Sequence, residues 1–405
     1  MNSLNSNLLD TATPPIPEAQ GWLNGYDGSL GPIVSLSQAV PGDPPPQAFL
    51  DRISDAARSP EATRYGDIFG DMSLRSAYAR DVSSIYGADL GGGNTAITAG
   101  CNQAFFVTMM ALAKSDEAIL LPAPWYFNHK MTLDMLGIEA RPLPLSHEAG
   151  FVPDPVAAAD LIDEKVRAIV LVTPNNPTGA MYPAGVVGAF QKLCADRGIW
   201  LVVDETYRDF ISKDMPPHRL FTSENWQETV ISLYSFSKAY AIPGHRLGAI
   251  VAGEAVISQV GKILDCVQIC PARAAQMALP WAIENLRQWR SGALETIQQR
   301  IGAFAETMRC ADGWEIDQIG AYFAYVRHPF EGVASTQVAE ALARQCGVLA
   351  LPGGYFGPGQ ERHLRVAFAN VGVEAIADLG QRFDALTAAA PFAGADVWRK
   401  KNEQA

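Results

Sequence analysis

Short apolar runs alternate with helix-like stretches along much of the chain. Four of the runs, residues 96–98, 168–172, 199–203 and 230–233, have about the length of a buried strand. Between the runs, as in the stretch 104–113, apolar residues recur at spacings of three and four, which is typical of helices. The pattern therefore predicts an α/β fold whose mostly parallel central sheet is flanked by helices.

The C-terminal part of the chain has a pattern richer in helices. It predicts a long helix, a strand and two further helices, at residues 280–310, 320–327, 335–345 and 373–390. The proline-rich segment 41–46 is expected to end an N-terminal arm. We expect a large domain at residues 45–285 and a smaller α+β domain built from the N-terminal arm and the C-terminal part, residues 12–44 plus 286–392.

A lysine, Lys238, follows the last of the four apolar runs, with Ser235 and Ser237 beside it and Arg246 further on. Burial lowers the pKa of a lysine and makes its amine a nucleophile toward an aldehyde. Hydroxyls and a guanidinium are the groups that bind a phosphate ester. An aldehyde and a phosphate on one ligand describe pyridoxal phosphate, although a surface lysine in a serine-rich turn remains the alternative.

Two further residues follow the run 199–203 at a suggestive spacing. The carboxylate of Asp204 can pair with a protonated ring nitrogen, and Tyr207, three residues later, can reach a ring hydroxyl. Either residue alone has an ordinary explanation, because Asp204 is also suited to start a helix and Tyr207 to fill a core.

The other two runs are each followed by a segment that suits a cofactor. The turn 175–179 offers side-chain amides, and Gly100 precedes a helix whose free N–H groups can bind an anion. Each is an ordinary feature by itself. Since ligands of parallel sheets bind at the carboxyl ends of the strands, we expect all four segments to meet in one crevice.

Composition limits the classes of partner. The chain has 405 residues and a net charge of −12, and its one basic run is the triplet 399–401, so nucleic acid is not an expected partner. The first twenty residues lack a signal pattern and no apolar stretch is long enough to span a membrane, so a cytoplasmic location is expected. The six cysteines show no Cys-x-x-Cys spacing, and no metal is expected.

Three more elements complete a recognisable set. They are Tyr65 with Gly70 and Leu74-Arg75; Pro124-Trp125-Tyr126; and Leu364 to Ala369, which follows a glycine-rich segment at 353–357. With the four segments above, they resemble the class I and II aminotransferases, a group of fold-type I enzymes that depend on pyridoxal 5′-phosphate. The resemblance extends from Val34 to Ala369 in the order expected of the family.

The resemblance implies a role for each matching position. Lys238 is expected to hold the cofactor as an aldimine and to move the substrate proton, with Asp204 and Tyr207 as its catalytic partners. Arg365, Ala39 and Asn176 are expected at the substrate. The positions expected at the cofactor are Tyr65, Gly100, Cys101, Asn102, Tyr126, Asn176, Asp204, Tyr207, Ser235, Ser237, Lys238 and Arg246. Trp125 is a rival to Tyr126 for stacking on the ring.

The family pattern also implies an assembly and leaves some points open. In the family, the tyrosine at position 65 reaches the phosphate in the other subunit, so a homodimer with shared sites is expected. Ala39 stands where the family usually has glycine, and its methyl is expected either to narrow the pocket or to shift the bound carboxylate. Cys101 and Asn102 are less usual residues at their positions. The substrate side chain, whether dicarboxylic, aromatic or aliphatic, stays open.

The implied activity is transfer of an amino group between an L-amino acid and a 2-oxo acid. A lyase or decarboxylase on the same scaffold needs the same Lys238, Asp204 and Arg365, and it is the alternative. A ligand-sensing domain of a transcription regulator is disfavoured, because the roughly 40 residues before the large domain show no helix-turn-helix pattern.

Overall fold

The computed structural model describes residues 4–212, 215, 217–392 and 396–398; the basic triplet 399–401 lies outside them. The strands are β1 Val34–Ser35, β2 Thr95–Thr98, β3 Ala118–Ala123, β4 Glu139–Pro144, β5 Val166–Val172, β6 Trp200–Asp204, β7 Val230–Ser235, β8 Gly248–Val251, β9 Glu315–Gly320, β10 Phe323–Arg327, β11 Val348–Leu349, β12 Leu351–Pro352 and β13 His363–Ala367. The helices are α1 Ser6–Asp10, α2 Pro15–Gly21, α3 Gln47–Arg58, α4 Met72–Tyr86, α5 Cys101–Leu112, α6 Phe127–Leu136, α7 Pro155–Asp160, α8 Ala184–Arg197, α9 Phe236–Ala239, α10 Glu254–Val267, α11 Arg273–Asn285, α12 Arg287–Cys310, α13 Ser335–Cys346, α14 Val373–Ala377 and α15 Leu379–Ala389.

A seven-stranded sheet forms the centre of the larger part of the molecule, in the order β2-β8-β7-β6-β5-β3-β4. All neighbouring strands are parallel except β8, which runs antiparallel to both β2 and β7. Side chains alternate between the faces: Ile169 and Leu171 of β5 join one core cluster, and Ala168 and Val170 join another. Both faces are covered, which confirms the predicted α/β class with its mostly parallel sheet.

A second sheet, in the smaller part of the molecule, has four antiparallel strands in the order β12-β13-β10-β9. This part has a separate core around Trp314 and Phe383. The N-terminal segment joins this part, because β1 pairs in parallel with β11. In addition, the Leu36 backbone N–H donates to the Leu349 carbonyl, and the Leu36 carbonyl accepts from the Ala367 N–H. The smaller part is therefore α+β and uses both ends of the chain. The domain limits 45–285, and 12–44 plus 286–392, stay a prediction.

Some predicted elements differ from those in the structure. The region predicted as one strand at 320–327 is divided in the structure. It contains the last residue of β9, then a turn in which Ala321 has a positive φ of 45°, and then β10. The helix predicted at 280–310 is two helices separated at Leu286, and that predicted at 373–390 is separated at Asp378. Periodicity did not reveal these breaks, because apolar residues continue on both sides of each. The helix predicted at 335–345 is confirmed as α13.

No helix among the described ranges has both the length and the apolar character that crossing a membrane requires.

Candidate active site

The carboxyl ends of β2, β5, β6 and β7 lie along one edge of the central sheet and open into a cavity of about 260 Å³. The N-terminal segment and the C-terminal sheet supply its other walls. Most residues predicted at the cofactor or substrate line this cavity: Ala39, Cys101, Asn102, Tyr126, Asn176, Asp204, Tyr207, Ser235, Ser237, Lys238, Arg246 and Arg365. The segments that follow the four predicted strands thus meet at one site.

Lys238 lies in the short helix that directly follows β7. Ser235 caps the start of this helix, because its hydroxyl accepts a hydrogen bond from the backbone N–H of Ser237 at 3.3 Å. The Lys238 amine donates to the backbone carbonyl of Ala39. Its burial, reinforced by the positive charges of Arg246 and Arg365, lowers the pKa of Lys238 to about 8. A neutral, nucleophilic amine is therefore accessible near neutral pH.

Asp204 is the last residue of β6 and lies within the cavity, 5% exposed. Its Oδ1 accepts a hydrogen bond from the Thr206 backbone N–H at 2.9 Å, and its Oδ2 lies 3.3 Å from His129 Nε2. Burial alone would raise the pKa of Asp204, but the hydrogen bond and charge of His129, helped by Thr206, lower it below its usual value. The group is thus held as a carboxylate.

His129 is a site residue that the sequence did not reveal. It lies in α6, three residues after Tyr126, and its ring stacks on Phe105 with centroids 3.8 Å apart. The stacking fixes the ring beside Asp204, while His129 Nδ1 is buried without a hydrogen-bond partner among the described residues. Its spacing from Tyr126 at the start of a helix is the only signal that would have suggested it.

The groups suited to a phosphate lie where α5 begins. Gly100 has a φ of +88°, and a Cβ built there would lie 2.2 Å from Nη2 of Arg246, so only glycine lets the guanidinium approach. The Ser237 hydroxyl is buried and has no hydrogen-bond partner in the part of the chain that the structure describes. A positive charge, an unpaired hydroxyl and a helix start fit a phosphate ester.

Arg365 of β13 lines the same cavity. Its Nη1 donates to Asn176 Oδ1 at 3.1 Å, and its Nη2 donates to the Ser37 carbonyl. The guanidinium lies over the rings of Phe323 and Phe356, at 5.3 and 5.1 Å. Burial lowers the pKa of Arg365 to about 10, which leaves it positively charged at neutral pH.

The two asparagines of the turn at 175–179 make different contacts. Asn175 is used within the turn, since its Oδ1 accepts from Thr178 and its Nδ2 donates to the Tyr182 hydroxyl at 3.2 Å. Asn176 lines the cavity. Gly179 packs closely on Gly320: a Cβ added to Gly179 would lie 2.5 Å from the backbone nitrogen of Gly320. This contact brings the turn against the small sheet.

The two aromatic candidates at 125 and 126 have different surroundings. Tyr126 lines the cavity, and its burial raises the pKa of its hydroxyl to about 12 although Asn102 hydrogen-bonds to it. Trp125 is not among the lining residues; its backbone N–H donates to the Phe356 carbonyl at 2.8 Å, and its indole lies against Gly357. The geometry therefore favours Tyr126 for contact with a bound ring.

Two predicted positions do not line the cavity. Gly100 acts through its contact with Arg246, and Tyr65 is 79% exposed.

Burial raises the pKa of Cys101 well above its ordinary value, so its thiol is not a nucleophile here. Within the described ranges, no group of three or more His, Cys, Asp or Glu side chains is arranged to hold a metal ion.

Comparison with known proteins identifies related chains. The family model described as "Aminotransferase class I and II" matches residues 32–383. An aspartate aminotransferase of Pyrococcus horikoshii is 27% identical over 76% of this chain and 79% of its own length. An aromatic aminotransferase of Arabidopsis thaliana is 26% identical over 84% of this chain and 85% of its own.

A solved structure shares the fold. The crystal structure of a single mutant of Thermus thermophilus aspartate aminotransferase superimposes with a TM-score of 0.87 at 23% identity, covering 95% of this chain and all of that one. The family model covers most of the chain, from the first strand to the last helix. The chain belongs to the class I and II aminotransferase family.

Proposed function

We propose that this transaminase binds pyridoxal 5′-phosphate on Lys238 and moves an amino group between an L-amino acid and a 2-oxo acid. Family membership establishes the aminotransferase class. The observation that carries the rest is the placement of Lys238: it lines one cavity with Arg246 and Arg365, and burial together with their charges lowers its pKa to about 8. One arginine suits a phosphate and the other a carboxylate.

The residues at this site fit pyridoxal 5′-phosphate. The unpaired hydroxyl of Ser237, the cradle at Gly100 and the ionised Asp204 are the groups that its phosphate and its protonated ring nitrogen require. The remaining contacts are proposed as the family assigns them: Asn176 and Tyr207 at the ring hydroxyl, Tyr126 at the ring face, and Ser235, Arg246, Cys101 and Asn102 at the phosphate. When bound, the cofactor supplies an electron-withdrawing ring that stabilises negative charge at the substrate α-carbon.

The protein side chains divide the remaining work. Arg365 binds the substrate α-carboxylate in a bidentate pair, which orients the α-carbon toward Lys238. Once the substrate amine has taken its place on the cofactor, the freed Lys238 amine would remove the α-proton, a step for which its lowered pKa suits it near neutral pH. His129 keeps Asp204 ionised and so acts through it as a positioning residue.

The assembly and location are also proposals. The strong exposure of Tyr65 supports a homodimer in which this hydroxyl completes the phosphate site of the other subunit. Small-molecule amino acids and 2-oxo acids are the proposed partners. The cytoplasmic location expected from the sequence stays a prediction.

The test is a half-reaction with single amino acids. Protein loaded with pyridoxal phosphate should lose its visible absorbance with an amino acid, release pyridoxamine phosphate on denaturation, and recover on addition of a 2-oxo acid. Borohydride reduction followed by peptide mass spectrometry should locate the cofactor on Lys238. The Lys238→Ala variant should carry no covalently attached cofactor. Ammonia released without a 2-oxo acid would instead indicate a lyase, and attachment at another lysine would overturn the role of Lys238.

A further inference from the structure

We propose, on the basis of the function proposed above, that Cys101 is a positioning residue whose thiol donates a hydrogen bond to Asp204. Asp204 is the carboxylate proposed to pair with the ring nitrogen of the cofactor. The part given above to Cys101 is at the phosphate, where the first residue of a helix offers its backbone N–H. Its side chain therefore has no assigned role so far.

The backbone at the start of α5 is held by two neighbouring strands. At the end of β2, the Thr98 hydroxyl donates to the Gly100 carbonyl at 3.0 Å. Gly248, the first residue of β8, packs on the next peptide unit, and a Cβ added there would lie 2.7 Å from the Cys101 nitrogen. The position of Cys101 is thus set by the central sheet and not by its helix alone.

The thiol of Cys101 lies at the carboxylate. Cys101 is 9% exposed, lines the active-site cavity with Asp204 and Thr206, and is hydrogen-bonded to both of their side chains. Burial keeps the thiol protonated, so it has a proton to donate. An ionised carboxylate can only accept. The S–H group is therefore the donor and Asp204 the acceptor.

Helix α5 reaches Asp204 by two routes. Residues four apart lie on the same face of a helix, so Cys101 and Phe105 are neighbours. Phe105 stacks on His129, whose Nε2 lies 3.3 Å from Asp204 Oδ2. Cys101 contacts the same carboxylate directly. One face of one helix thus restrains Asp204 both through His129 and through the thiol, as a positioning role requires.

Thr206 leaves the carboxylate room for a further partner. Its backbone N–H donates to Asp204 Oδ1 at 2.9 Å, and its hydroxyl is hydrogen-bonded to both Asp204 and Cys101. A hydroxyl has one proton, so it donates to the carboxylate or to the sulfur but not to both at once. By turning to the sulfur it frees a place on Asp204 for a protonated ring nitrogen, while the thiol keeps its own contact.

The first test observes the thiol proton by infrared spectroscopy. The S–H stretching band of Cys101 is isolated as the difference between cofactor-loaded wild type and Cys101→Ala. It should move to higher frequency when Asp204→Asn is introduced into both proteins, because an uncharged amide is a weaker acceptor than a carboxylate. An unchanged band would overturn the proposal.

Cys194 provides the matched control for this band. It is fully buried in α8, and burial alone raises its pKa. Its S–H band, isolated in the same way with Cys194→Ala, should not respond to Asp204→Asn. Equal shifts of the two bands would contradict a specific contact between Cys101 and Asp204.

Kinetics of the half-reaction separate positioning from packing. Cys101→Ala should lower the maximal rate by about three- to tenfold, as expected for the loss of one hydrogen bond. The KM for the amino acid should stay nearly unchanged, because Arg365 is proposed to bind the α-carboxylate. The acidic limb of the pH profile should move to higher pH, since a carboxylate that loses a donor has a raised pKa.

A conservative variant completes the test. Cys101→Ser keeps a donor and should recover most of the lost rate, and Cys194→Ala should change neither the rate nor the pH profile. Equal losses in Cys101→Ala and Cys101→Ser would contradict the proposal, because they would show a packing requirement at this position. A wild type that converts no amino acid would instead refute the proposed function, and the infrared comparison would still decide whether the thiol donates to Asp204.

Discussion

Asp204 and Glu205 are consecutive carboxylates at the end of β6, and each is paired with a histidine. Asp204 Oδ2 lies 3.3 Å from His129, and Glu205 Oε1 lies 2.9 Å from His218. The pKa of both carboxyls is lowered although burial opposes this. By charge, burial and partner type, the two are nearly identical.

They differ in the groups that lie around them. Glu205 accepts hydrogen bonds from the Tyr86 hydroxyl, from His218 and, at 2.6 Å, from Ser232. Asp204 is hydrogen-bonded by Thr206, His129 and the Cys101 thiol. Glu205 also borders a cavity, of about 270 Å³, so bordering one does not distinguish the two. Lys238 and Arg365 line the cavity that Asp204 borders and not the one that Glu205 borders, and this distinguishes the proposed binding carboxylate from the structural one.

The largest expected effect comes from neutralising the binding carboxylate. Asp204→Asn should lower kcat/KM by about 100- to 1000-fold, as expected for the loss of one preorganised electrostatic partner of the reacting group. Its urea midpoint should stay close to that of the wild type. Steady-state kinetics and denaturation of the same preparation check both. A large loss of stability with retained activity would reverse the assignment of Asp204 and Glu205.

The complementary change is Glu205→Ala. It leaves Tyr86, His218 and Ser232 without their shared acceptor, so the free energy of unfolding should fall by about 3–5 kcal/mol. Urea denaturation of the cofactor-free protein measures this. The fraction that remains folded should still bind pyridoxal phosphate at Lys238. Stability within about 0.5 kcal/mol of the wild type would show that the cluster is not structural.

The two histidines extend the comparison with a smaller effect. His129→Asn should lower kcat/KM by about 10- to 100-fold, by analogy with residues that hydrogen-bond to metal-binding carboxylates. It should also shift the pH profile, because Asp204 loses its hydrogen bond with His129. His218→Asn should instead lower the free energy of unfolding by about 1–3 kcal/mol with kcat/KM nearly unchanged. Equal effects of the two changes on activity would remove the distinction.

The last expected effect is a pH dependence. The pKa of Glu205 falls to about 2 in the folded protein from an ordinary value near 4.5, so its contribution to stability is complete above pH 4.5. That contribution is lost as the pH falls toward 2. The stability difference between wild type and Glu205→Gln should therefore narrow between pH 4.5 and 2. A difference that stays constant over this range would mean that the carboxyl is not preferentially ionised by folding.

The sequence predicts one member of this pair of carboxylates better than the other. Asp204, Asn176 and Lys238 follow apolar runs, and the edge of a parallel sheet gathers whatever follows its strands, so local pattern suffices. Alternation along a strand places Glu205 on the opposite face, but its partners Tyr86 and His218 come from distant segments. His129 was missed for the same reason.

The substrate side of the cavity was predicted less completely than the cofactor side. Arg365 was found by family resemblance, whereas Ile16 and Phe127 carry no chemical signal. Ile16 from α2 and Phe127 from the start of α6 both reach the wall by packing on the core of the smaller part. The breaks at Leu286 and Asp378 were missed because the apolar pattern runs through them. Contacts between remote segments, rather than local pattern, decide all of these.

The cavity draws on both ends of the chain, and this sets an order of events during protein synthesis. Strands β2 to β8 and Lys238 all leave the ribosome before Arg365 has been made. The arm that carries Gln38 must wait as well, because β1 pairs with β11. A nascent chain can therefore assemble the start of α5 and Lys238, the proposed phosphate site and nucleophile, early. The ability to recognise a substrate is acquired last, so a product truncated before β13 would keep Lys238 but lack Arg365.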